Sequence, residues 1–101
     1  METGLPIPPP LLRDGRIYFV CGTRQNMLSY VGRNRWNLDR CVLLEKGDEL
    51  LGNRGVRVVF TTGWSNHPDL RQILSILNLV KADVFMETEN PWLRSKLPTP
   101  G

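Results

Sequence analysis

Leu70, Ile73, Leu74, Leu77 and Val80 recur at the i, i+3, i+4, i+7 spacing of one helical face. No other stretch narrows the possible folds as much. Ile76 and Leu79 fall off that face, so the predicted helix is apolar around much of its circumference. It must be buried on two sides, or bury one and meet another molecule with the second. Ser65 or Asn66 can cap its start, Pro68 suits a first turn, and Asp69 complements the positive helix end. Strands flank it. Val56-Arg57-Val58-Val59-Phe60-Thr61-Thr62 is the best strand in the chain and Gly63 breaks it, while Asp83-Val84-Phe85-Met86-Glu87 ends at Asn90-Pro91.

The first half repeats the alternation less cleanly. Ile17-Tyr18-Phe19-Val20-Cys21 is a short apolar run stopped by Gly22, and reads as a buried strand. Met27, Leu28, Tyr30 and Val31 share a helical face, which predicts a short helix over roughly residues 24–32. Arg40-Cys41-Val42-Leu43-Leu44-Glu45 is a further strand candidate. The order over residues 16–88 is therefore strand, helix, strand, strand, helix, strand. Gly47, Gly52, Asn53 and Gly55 between the second and third strands suit a hairpin. That favours an α+β fold, the ferredoxin-like β-α-β-β-α-β sandwich with two helices on one face of a four-stranded antiparallel sheet. A three-layer sheet of the flavodoxin type satisfies the same order if the middle link is a crossover. The 101 residues suffice for one domain. Pro6, Pro8, Pro9 and Pro10 make residues 1–12 an extended arm, residues 13–89 form the core, and residues 90–101 read as a second extended arm.

Thirteen basic against ten acidic residues leave a net charge of +3, and ten of the thirteen are Arg. Arg13, Arg16, Arg24, Arg33, Arg35 and Arg40 crowd the first half, with only Asp14 and Asp39 as acids among them. Arg33-Asn34-Arg35-Trp36-Asn37 sets an aromatic ring and two amides among guanidinium groups. Bidentate phosphate contact and base stacking call for these residue types. Arg24, Arg33, Arg35, Trp36, Arg54 and Arg57 are thus the candidate contacts to RNA, DNA or a protein partner. Pro8, Pro9, Trp92 and Leu93 are the candidate contacts of the two arms.

Ile17-Tyr18-Phe19-Val20 and Arg54-Gly55-Val56-Arg57-Val58-Val59-Phe60 resemble the two central-strand motifs of RNA-recognition-motif domains. That resemblance implies an RNA-stacking sheet to which Tyr18 contributes one aromatic, with Val56 and Val58 standing where the family places others. The segment from Cys21 to Ser29 resembles the nucleophile loop of low-molecular-weight tyrosine phosphatases, which implies a Cys21 thiolate in a phosphate loop. The family's Arg, six residues after the cysteine, is Met27 in this chain, and Arg24 lies at another spacing. Thr61-Thr62-Gly63-Trp64-Ser65-Asn66-His67-Pro68-Asp69 is a capped helix start at which an anion can dock, and His67 reads as a capping or surface residue.

Two cysteines and one histidine are too few for a zinc site or a disulfide framework, so neither metal nor cofactor is expected. The opening residues carry neither the charged region nor the apolar stretch of a secretory leader, and no apolar run is long enough for a membrane span. The expectation is an intracellular, cytoplasmic, non-enzymatic binding module. It would serve as a small subunit or accessory factor of a larger assembly, joined to a protein partner or to further copies of itself. A phosphate-loop enzyme using Cys21 is the alternative.

Overall fold

The computed structural model describes residues 15–20 and 22–98. The first arm, with Pro8 and Pro9, and the Cys21 thiol lie outside the described residues. Four strands, β1 (Ile17–Val20), β2 (Cys41–Leu43), β3 (Arg57–Phe60) and β4 (Asp83–Met86), form one sheet in the order β2-β1-β3-β4. All three pairings are parallel, with Ile17 opposite both Cys41 and Arg57, and Arg57 opposite Asp83. Helices α1 (Arg24–Asn34) and α2 (Leu70–Leu79) link β1 to β2 and β3 to β4, and a short α3 (Pro91–Lys96) follows β4. No helix among the described residues is long and apolar enough to cross a membrane.

The parallel pairing corrects the antiparallel sandwich, and with it the sheet arrangement that the RNA-recognition-motif likeness implied. The turn-forming residues between β2 and β3 do not close a hairpin. Residues 44–56 carry the chain from the carboxyl end of β2 past β1 to the amino end of β3, through a 3-10 turn at Gly47–Leu50. A crossover between parallel strands needs about a dozen residues or more, and this link is just long enough. Gly47 lets it lie flat on α2: a Cβ there would stand 3.0 Å from Ile76 Cδ1 and 3.3 Å from the Gln72 backbone.

Apolar side chains cover both faces of the sheet, as expected of strands that read as unbroken apolar runs. On one face Ile17, Phe19 and Val59 meet Met27, Tyr30 and Val31 of α1, and Trp36. On the other, Val20, Val58 and Phe60 meet Leu44, Leu50, the α2 residues Ile73, Ile76 and Leu77, and Leu93 and Leu97. The off-face Ile76 is therefore buried by the β2–β3 crossover, while Leu79 is left 68% exposed. The second arm also needs correcting. Asn90 caps α3 by accepting from the Leu93 amide (2.9 Å), Pro91 occupies its first turn, and Leu93 is wholly buried in the core.

Candidate nucleic-acid interface

A parallel sheet sorts residues by strand end. Arg16 precedes β1, Arg40 precedes β2, Arg54 and Arg57 sit at the start of β3, and Lys81 precedes β4. α1 runs back against the strands, so Arg35, just past its last residue, comes to this same amino end. The acids among the described residues at that end are Asp39 and Asp83. At the carboxyl ends stand Glu45, Asp69, Glu87 and Glu89, and the Glu49 carboxylate reaches back to accept from the Glu45 and Lys46 amides (3.2 and 2.9 Å). One end of the domain is basic and the other is mixed and acid-rich.

Two backbone details sharpen the basic end. Among the described residues, the non-glycine residues at positive φ are Arg35 (57°) and Lys81 (55°), both cationic and both at this end. Arg35 terminates α1 in the left-handed conformation, donating its N–H to Gly32 O, while the Trp36 N–H returns to Val31 O. Glycine fits such a position with less strain. Arg57, half-buried, keeps a buried Nε without a hydrogen-bond partner.

Between the starts of β1 and β3 lies a cleft of about 360 Å3, lined by Arg16, Tyr18, Asn53, Arg54 and Arg57, with Gly15, Gly55 and Val56. Arg16 and Arg54 are exposed, and neither they nor Arg57 form an ion pair among the described residues. The Asn53 side chain donates to Glu49 O (3.3 Å), which holds the turn that presents Arg54.

Not every expected contact gathers here. Arg35, Arg54 and Arg57 do. Arg24 is exposed in the first turn of α1, at the opposite end. Arg33 is drawn to Glu87 (2.8 Å) and lies over the Tyr30 ring. Trp36 is 7% exposed, tilted against Phe19 and edge-on to Tyr30, so it presents no stacking face. Trp92 is 54% exposed and stacks on Trp64, with Lys96 over its ring, while Leu93 is core. The sequence pattern includes Arg16 among the crowded arginines without marking it as a contact, points to Tyr18 only through the RNA-recognition-motif likeness, and does not single out Lys81 or Asn53 as contacts. The turn Asn53-Arg54-Gly55, immediately before the best strand, was the available signal.

The carboxyl end is the usual ligand crevice of such sheets, at the point where strand order reverses between β1 and β3. Here the loops after β1 and β3 close on one another. Gly22 N–H donates to Thr62 O (3.4 Å), and Asn26 Nδ2 donates to the same oxygen (3.0 Å). A Cβ on Gly63 would lie 2.6 Å from Gly22 N, so even a methyl group does not fit between the loops. Two spaces lie beside them, one of about 140 Å3 lined by Thr61, Thr62, Trp64 and Glu87 and one of about 220 Å3 lined by Gly22, Glu45 and His67, both small against the several hundred Å3 of usual ligand sites. His67 links the end of β2 to the start of α2. Its Nδ1 accepts from the Asp69 amide (3.1 Å), which leaves Nε2–H to donate to Leu44 O (3.0 Å).

The Cys41 thiol donates to Asn37 O (3.4 Å), and burial pushes its pKa up to about 11, the reverse of an activated nucleophile. Burial, and next the Glu87 charge, raise the Tyr30 hydroxyl to about 12 against the opposing pull of Arg33. No three His, Cys, Asp or Glu side chains cluster as metal ligands among the described residues. Comparison with protein-family models, with curated proteins and with solved structures finds no match for this chain.

Proposed function

We propose that this chain is a non-enzymatic binding module, a small subunit or accessory factor of a larger assembly, that contacts single-stranded nucleic acid through the basic amino end of its sheet. The observation that carries the reading is the collection of Arg16, Arg35, Arg54, Arg57 and Lys81 at one end, away from most of the acids. A chain with a net charge of only +3 thereby gains a strongly cationic face. Two of those cations, Arg35 and Lys81, stand at left-handed backbone positions that glycine would occupy with less strain. The phosphatase-like alternative has less support, because Met27, which stands where that family's Arg would be, is buried against the sheet. A groove of about 650 Å3 between α2 and α3, lined by Leu70, Leu74, Trp92 and Lys96, supports the assembly part of the reading as a seat for a partner protein.

Fluorescence anisotropy of labelled single-stranded RNA, with duplex DNA alongside, tests the reading at two salt concentrations. Micromolar binding that weakens steeply with salt is expected. Arg35→Ala/Arg54→Ala should lower the slope of log affinity against log salt by about one per Arg removed, whereas Arg24→Ala leaves it unchanged. Absence of binding at low salt refutes the reading.

A further inference from the structure

We infer that the cleft between the starts of β1 and β3 is a nucleotide subsite: it takes one phosphate group between Arg16 and Arg54 and the attached nucleoside against Tyr18. The inference rests on the nucleic-acid reading and gives it a location.

Size is the first argument. A space of about 360 Å3 lies within the range of small-molecule sites and matches a single nucleotide rather than a bare ion. Chemistry is the second. Arg16, Arg54 and Arg57 line the cleft without a carboxylate partner among the described residues, so nothing on the described protein neutralises them. Asp83, opposite Arg57 in the β3–β4 register, makes no ion pair with it. A guanidinium group forms short, bidentate contacts to phosphate oxygens, and two on facing edges of a cleft define the place of one phosphate. Arg57 adds a third guanidinium group to the lining of the cleft.

Backbone geometry is the third argument. Gly15 (φ 108°) and Gly55 (φ 74°) edge the cleft, and a Cβ at either would meet no described residue within 4 Å, so the described rim leaves room for a ligand. Arg16 and Tyr18 alternate to one face of β1, and Tyr18 lies partly buried against the core, which fixes its ring beside the cleft. A half-buried ring next to two unneutralised guanidinium groups supplies the flat apolar wall and the charge that a nucleotide presents in reverse.

The test is an amide-resolved NMR titration of the full chain with adenosine and uridine 5′-monophosphates and, separately, with inorganic phosphate. Shifts confined to the residues that line the cleft, Tyr18 and Arg57 included, are expected, with the nucleotides binding more tightly than phosphate. Arg16→Gln/Arg54→Gln should weaken nucleotide binding at least about tenfold. Tyr18→Leu should bring the nucleotide down to the level of phosphate, and the same spectra report whether each variant is folded. Shifts elsewhere, no shifts, or equal binding of nucleotide and phosphate overturn the subsite. A parallel RNA titration separates the two readings. RNA binding that weakens in Arg16→Gln/Arg54→Gln while neither nucleotide binds in the cleft removes the subsite and leaves the nucleic-acid reading standing. Nucleotide seated in the cleft of a protein that binds no RNA does the opposite.

Discussion

Replacing Gly63 by Ala should cost this domain far more than a glycine substitution normally does, and the excess can be worked out from two contacts. Gly63 sits at φ 92° and ψ −1° at the end of the β3 loop. An L-residue held in the left-handed region costs about 1–2 kcal/mol. Its Cβ would lie 2.6 Å from Gly22 N and 2.9 Å from Gly22 Cα, backbone atoms that cannot rotate away. Separating the loops breaks the Gly22 N–H to Thr62 O bond and strains the Asn26 to Thr62 O bond, each worth about 1 kcal/mol net. The expected loss is about 3–4 kcal/mol, a large share of the roughly 5–15 kcal/mol that holds a domain folded. Gly52 supplies the control. It sits at φ 85°, and a Cβ added there would meet nothing within 4 Å, so Gly52→Ala should cost only the backbone part, about 1–2 kcal/mol. Urea unfolding followed by circular dichroism and tryptophan fluorescence measures both, with the slope expected to stay constant. Equal losses at the two sites would refute the claim that the β1 and β3 loops are in contact and that the carboxyl-end crevice is closed.

Four further outcomes are expected. Leu93→Ala should lose about 2–5 kcal/mol by the same assay, because Leu93 is a wholly buried core residue; a loss below ~1 kcal/mol would detach α3 from the core. Arg35→Gly should raise stability by about 1 kcal/mol by relieving the left-handed backbone, yet weaken RNA binding, and moving both in the same direction would count against that division of roles. Alkali should destabilise the protein. The folded-state pKa values of Cys41 and Tyr30 are raised to about 11 and 12 from ordinary values of 9.0 and 10.0, so the unfolded chain loses these protons first. Their contribution is complete below the ordinary values and disappears as pH climbs through the raised ones, and Cys41→Ala/Tyr30→Phe should flatten the melting temperature between about pH 9 and 12. Arg33→Ala should change stability by less than about 1 kcal/mol, since its ion pair with Glu87 is largely exposed on the Arg side, and a larger loss would show that the Tyr30 contact matters more.

Much of the local structure was legible in the residues themselves. The i, i+3, i+4, i+7 run located α2, the β-branched run located β3, and glycines marked strand ends at Gly22 and Gly63, because these signals act over a few neighbouring residues. The excess apolar character of α2 also had its meaning there: Ile76 is covered by the crossover and Leu79 stays outside. Local signals do not determine strand direction. The glycines of residues 44–56 serve a hairpin and a crossover equally well, and only burial of Leu44 and Leu50 on the face opposite α1 chose the crossover.

The same holds for the candidate site. That the chain is rich in Arg, and that Arg33-Asn34-Arg35-Trp36 is an unusual run, belongs to the sequence alone. Which arginines share a surface was decided by the parallel sheet, which groups residues by the end of the strand they occupy rather than by their distance along the chain. Neighbouring Arg33, Arg35 and Trp36 go to Glu87, to the basic end and to the core respectively, while Arg16 and Arg54 line one cleft. Helical periodicity sends adjacent side chains to different faces, and strand pairing brings distant ones together. A linear run of charge therefore reveals the composition of a binding surface, and only the fold reveals its place.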